Sequence, residues 1–245
     1  MMIHSYENGK RATACTEYLM ASDIAMRARD IILLPIPSTR DNVTILNTNI
    51  YINEVLDDVE DGTVISGYGL PGAFVDAAIA RGGRVIDLSL DENFLLFNAD
   101  LTALCALGIF LANGERAPAD VSVGIVGYGR IGRRLTELFL YLGARVRVFS
   151  TRRSARIDLG ECGVASEESS EDADLSGLDI LFNTAPAVIF RPEKIPRELR
   201  IIDLASGDNF PGVSVEKYPS VPAKMFPFSA GRAWGRAVER FIAEL

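Results

Sequence analysis

The stretch that most constrains this chain is residues 121–153, VSVGIVGYGRIGRRLTELFLYLGARVRVFSTRR. An apolar run, VSVGIV, leads directly into Gly127, Gly129 and Gly132, then a helical pattern, then a second strand-like stretch, ARVRVF. Strand, tight turn, helix and strand in that order make a βαβ unit, which implies parallel strands. A glycine turn in this setting has three requirements. Gly127 permits the tight turn, Gly129 lets the backbone approach a diphosphate, and Gly132 lets helix and strand pack closely. The free N–H groups and positive end of the helix then hold the anion. Gly127, Tyr128, Gly129, Arg130, Ile131 and Gly132 are therefore expected to cradle a dinucleotide.

The end of the second strand bears on which dinucleotide. An NAD site usually carries Asp or Glu there, about twenty residues on, for the ribose 2′-hydroxyl. This chain carries Ser150, Thr151, Arg152 and Arg153, and no carboxylate stands between Leu138 and Ile157. A 2′-phosphate needs hydroxyl donors and cations, and guanidinium forks match its oxygens. The expectation is NADP in preference to NAD.

Around this unit the chain alternates strands and helices. Short apolar runs at 31–36, 63–67 and 84–89 enclose the helical PGAFVDAAIARGG, and residues 98–112 read as a buried helix crossing between domains. A second series continues with strands at 144–149, 179–184 and 201–206, a weaker one near 163–166, and a helical tail at 229–245. The expected fold is α/β with two domains: a C-terminal Rossmann doubly wound parallel sheet and a smaller N-terminal α/β domain. Residues 1–97 and 229–245 would form the smaller, substrate-side domain, and 98–228 the interdomain helix and dinucleotide-binding domain.

Composition narrows the partners. A net charge of −8 argues against nucleic acid or an anionic membrane as main partner. The three cysteines are too dispersed for a disulfide framework or a metal site, so no metal is expected. The start shows no signal pattern, and no uninterrupted apolar run approaches a membrane span, so a cytoplasmic location is expected. A homodimer, or a second polypeptide covering an open sheet edge, is compatible with this pattern.

Chemistry is harder to read, because the single histidine, His4, lies outside every expected cleft loop. A histidine acid/base mechanism is disfavoured. Ligands of parallel sheets bind beyond the carboxyl ends of the strands. Pro37, Ser38, Thr39 and Arg40 are expected on the substrate rim, with Arg40 the candidate clamp for a substrate carboxylate. Asn98 and Thr102 are expected at the start of the interdomain helix, where free N–H groups could meet a ligand. Asn183, Thr184, Ala185 and Pro186 are expected along the ribose and nicotinamide, and Ser206 and Asp208 near the nicotinamide amide. Asp203, inside an apolar strand, reads as a hydrogen-bonded structural aspartate, with an acid/base role the alternative. Catalytic candidates are thus Arg40, Asn98, Thr102 and Asp203.

The segments LPIPSTRDN (34–42), NADLTA (98–103), VGIVGYGRIGRRL (123–135), DILFNTAPAVI (179–189) and IIDLAS (201–206) together resemble the dipicolinate synthase A family. That resemblance implies an NADP-linked oxidoreductase acting on a small carboxylated substrate, such as a cyclic dicarboxylate, between the two domains. It also implies two departures. The N-terminal domain reads as one βα unit short, and Leu104 and Cys105 stand where the family carries Glu and Gly. Those departures, with the missing histidine, raise a catalytically silent nucleotide-binding component or sensor as the alternative, with a divergent D-2-hydroxyacid dehydrogenase as a further one.

Overall fold

The computed structural model describes residues 1–245. They divide into two compact units, Met1–Asn98 with Phe226–Leu245, and Ala99–Met225.

The first unit is built on a four-stranded parallel sheet, β1 (Ile3–Ser5), β2 (Ile31–Leu33), β3 (Val64–Gly67) and β4 (Arg84–Asp87), in that spatial order. Its helices include α1 (Lys10–Met20) and α2 (Gly72–Ala80). The β1–α1 pair corrects the expectation that a βα unit is absent from the front. That pair escapes sequence reading because β1 is a three-residue edge strand with His4 and Ser5 exposed, so it presents no apolar run.

A long helix follows, α3 (Glu92–Ala112), and it begins six residues before the expected start. Asp91 sets that start: its carboxylate accepts the Phe94 N–H at 2.9 Å and its carbonyl the Leu95 N–H at 2.9 Å. Asn98 and Thr102 consequently lie within α3 rather than at its start, and the reading that assigned them free helix-start N–H groups is corrected. By length and composition alone α3 could cross a membrane, but half of its most apolar window is buried inside the protein. Ala103, Ala106, Ile109 and Phe110 join the second unit's core, with the Phe110 ring edge-on to Phe139 at 5.4 Å.

The second unit carries a six-stranded, all-parallel sheet. Its strands are β5 (Ser122–Val126), β6 (Arg145–Phe149), β7 (Ala165–Glu167), β8 (Ile180–Asn183), β9 (Arg200–Asp203) and β10 (Glu216–Lys217). The spatial order β10-β9-β8-β5-β6-β7 places the glycine-bearing strand centrally and reverses direction of winding beside it, the doubly wound arrangement. The central strands β5 and β8 are buried along almost their whole length, in keeping with their mainly apolar sequences. Helices α4 (Arg130–Tyr141), α5 (Arg153–Glu161) and the short α6 (Val221–Met225) complete the unit.

The tail, α7 (Pro227–Ala243), returns to the first unit and lies against α1. The approach is close enough to require small residues. A Cβ on Gly231 would stand 2.3 Å from the Arg11 carbonyl oxygen, and one on Gly235 2.6 Å from the Tyr18 ring. Trp234, fully buried between them in sequence, donates its indole N–H to the Ser66 hydroxyl at 2.8 Å.

Candidate dinucleotide and substrate site

The glycine turn leaves β5 at Gly127, whose φ of 88° is a left-handed value that favours glycine. Its N–H donates to the Phe149 carbonyl at 2.8 Å, so the turn stays tied to β6. Gly132 lies in the first turn of α4, where an added Cβ would meet the Gly127 carbonyl oxygen at 2.1 Å. Gly129, at the helix N-cap, is exposed, and nothing stands within 4 Å of a Cβ built on it. Two glycines are thus demanded by the fold, whereas the third leaves open space in front of the helix start. That space, together with the free N–H groups there, fits a diphosphate. Ile131 is half-buried against the core, and Arg130 is exposed.

At the end of β6, Ser150 is buried and accepts the Arg152 N–H on its hydroxyl at 3.2 Å. Its carbonyl accepts from Arg156 Nη1 at 2.6 Å. Arg152 is the N-cap of α5, and its guanidinium reaches back to the Tyr128 carbonyl, joining the glycine turn to the β6 end. Arg133 lies over the Tyr128 ring at 5.1 Å. Thr151 and Arg153 are exposed with no protein partner. The nearby carboxylates from the β7 end are engaged: Glu167 pairs with Arg147 at 3.1 Å, and Glu168 with Arg156 at 3.5 Å. The β6 end therefore offers hydroxyls and guanidinium groups, and these residues fit a 2′-phosphate.

Across β5, the ends of β8 and β9 carry a buried polar cluster. Asn183 and Asp203 lie side by side in register, each 1 % exposed. Asn183 Nδ2 donates to Asp203 Oδ1 at 2.8 Å and to the Ala185 carbonyl at 3.0 Å. Thr184 is half-buried and donates its hydroxyl to the Val126 carbonyl at 2.8 Å. Pro186 and Ser206 are exposed, whereas Asp208 pairs with Lys217 at 2.7 Å. Asn209, which sequence reading passed over, is buried and also donates to Asp203. Its place after a strand ending in Asp was the only available signal.

In the first unit, the β2–α2 side forms a loop stapled by two small residues. Ser38 is fully buried, donating to the Pro35 carbonyl at 2.9 Å and accepting the Tyr68 N–H at 2.8 Å. Ser38 thus has no free group for a substrate; it holds the loop, which corrects its assignment to the rim. Thr39 is 8 % exposed and donates to Asp41 at 2.9 Å. Asp41 also accepts both N–H groups of Val43 and Thr44 and the Thr44 hydroxyl, which hold its carboxyl well below the usual range. Pro37, preceded by a cis peptide bond, is half-buried. Arg40 stands exposed between these anchored residues with no hydrogen bond or ion pair. Asp87, which reads in the sequence only as part of a strand, fixes the adjacent Tyr68–Leu70 turn. It accepts the Gly69 and Leu70 N–H groups, each at 2.9 Å.

Asn98 is half-buried and Thr102 buried, and neither residue of α3 is without a partner. His4 is exposed on β1. No group of acidic, cysteine or histidine side chains is arranged to hold a metal ion.

No protein-family model matches the chain, and no curated protein matches it in sequence. Solved structures do match it in fold. The dipicolinate synthase A polypeptide from Bacillus halodurans superposes with a TM-score of 0.79 at 19 % identity, covering 100 % of this chain and 98 % of that one. Its counterpart from Bacillus subtilis gives 0.78 at 18 % identity, covering 99 % and 95 %. A transhydrogenase from Sinorhizobium meliloti gives 0.61 at 13 % identity, covering 100 % and 94 %.

Proposed function

We propose that this chain, which has the fold of dipicolinate synthase A, is an NADP-dependent oxidoreductase acting on a small carboxylated substrate, of which a cyclic dicarboxylate is the leading class. The observation that carries the reading is the pairing of an open glycine turn at Gly129 with a β6 end made of Ser150, Thr151, Arg152 and Arg153 and free of unpaired carboxylate. The fold likeness supports it, since oxidoreductases share this architecture.

The residues have distinct tasks in this reading. Gly129 and the first N–H groups of α4 receive the diphosphate. Arg152, already anchored on the Tyr128 carbonyl, and the unengaged Arg153 receive the 2′-phosphate. When bound, the nicotinamide supplies hydride transfer. Arg40 holds a substrate carboxylate, presented by a loop that Ser38 and Asp41 keep rigid. Catalysis then depends mainly on orientation and exclusion of water, since the single histidine, His4, lies outside the loops that carry these residues.

The single exposed His4 favours a second reading, a nucleotide-binding component that turns over only with a partner chain or not at all. Purified chain mixed with NADP(H) and cyclic dicarboxylates separates the two. A change in reduced-nucleotide absorbance supports the enzyme. Tight NADPH binding with no change across that panel overturns it in favour of the silent component.

A further inference from the structure

Asp203 is the only acidic or basic side chain among the buried polar residues of this protein. An isolated buried carboxylate is costly, and such groups normally find a cation. None engages this one. Four hydrogen bonds from neutral donors hold it instead: Asn183 Nδ2 at 2.8 Å and the Ala205 N–H at 3.1 Å on Oδ1, and Asn209 Nδ2 at 3.2 Å on Oδ2 and 3.4 Å on Oδ1.

These donors belong to different loops. Asn183 ends β8 and closes the following turn, accepting the Ala185 N–H at 3.1 Å. Asn209 lies six residues past the end of β9 and also donates to the Ser206 carbonyl at 3.2 Å. One carboxylate therefore joins the loop after β8 to the loop after β9. Pairing of the strands does not need it, because β8 and β9 are already in register through their backbones. A purely structural spacer could be apolar, like Leu204 beside it, at lower cost.

Sheet order gives the cluster its ligand. The glycine turn follows β5, and the 2′-phosphate end lies towards β6, whereas β8 and β9 stand on the opposite side of β5. In a doubly wound sheet, a dinucleotide spans the strand ends on both sides of that switch point. The loops joined by Asp203 thus face the half of the dinucleotide away from the adenosine.

We infer that Asp203 is a positioning residue for the nicotinamide half of the dinucleotide, acting through Asn183 and Asn209, whose two loops it ties together. The inference rests on the nucleotide reading above.

Its test compares two ligands on wild-type, Asp203→Asn and Asn209→Ala protein, each first checked for cooperative melting. NADPH carries both halves, and adenosine 2′,5′-bisphosphate carries only the adenosine end. The expected result is a loss of about tenfold or more in NADPH affinity for both variants, the size of one or two hydrogen bonds, with adenosine 2′,5′-bisphosphate affinity unchanged within about twofold. Asn209→Ala keeps the test decisive if Asp203→Asn fails to fold. Equal losses for the two ligands, or unchanged NADPH affinity, would overturn the inference. Wild-type protein that bound neither ligand would instead overturn the nucleotide reading itself.

Discussion

Gly132 faces Gly127 so closely that a Cβ on the former would stand 2.1 Å from the latter's carbonyl oxygen, whereas Gly129 between them faces open space. The same motif therefore contains glycines that the packing requires and one whose Cβ the fold would accommodate.

Alanine substitutions separate these roles. Gly132→Ala forces the backbone apart and is expected to lower stability by roughly 1–3 kcal/mol, with loss of nucleotide binding. Gly129→Ala is expected to cost no more than about 1 kcal/mol, because its φ of −84° suits any residue. It should nevertheless weaken NADPH binding by filling the space before the helix. Thermal melts and NADPH titrations on both variants check the pair; equal destabilisation would remove the distinction.

Ser38→Ala leaves the half-buried Tyr68 N–H without its side-chain acceptor. The expected cost is about 0.5–1.5 kcal/mol in chemical denaturation, the net worth of one hydrogen bond. A change under about 0.5 kcal/mol would mean that the loop is held by other contacts.

Much of this architecture is legible in the sequence, and the reasons for the gaps are local. Strands β5, β8 and β9 stand out because central parallel strands are buried on both faces and read as mainly apolar runs, and β6 because valines alternate with arginines along it. β1 and the two-residue β10 are sheet edges, short and partly polar, and leave no such pattern. The start of α3 depends on Asp91 acting as a cap, which its sequence, SLDENF, allows but does not require. In the site, the glycine turn is readable because its demands are backbone demands. The burial of Ser38 and the Asn209 bond to Asp203 depend on loops meeting in space, which spacing along the chain does not encode.

Acid stability should involve Glu239 on α7. The Ser22 hydroxyl, and the Tyr18 hydroxyl at 2.6 Å, donate to its carboxylate and lower its pKa. A group with a depressed folded pKa contributes stability above its unfolded value, near 4.5, and loses it as pH falls through the folded value. Denaturation midpoints followed by emission of Trp234, the chain's single tryptophan, should therefore fall below about pH 4.5. Glu239→Gln should show a shallower fall over that range; an identical pH profile would contradict the assignment.

Arg40→Ala is expected to leave the melting temperature unchanged, since the side chain is exposed and makes no bond within the protein. With a carboxylated substrate that the wild type turns over, KM should rise at least tenfold, as for a lost charge-assisted contact of about 1.5–3 kcal/mol. An unchanged KM would remove Arg40 from the site.

Selection of a 2′-phosphate by the β6 end is tested by calorimetric titration of the purified chain with NADPH and with NADH. NADPH should bind with clear preference, lost in the Arg152→Ala/Arg153→Ala double variant while weak NADH binding persists. Equal affinity for the two nucleotides in the wild-type chain would contradict it.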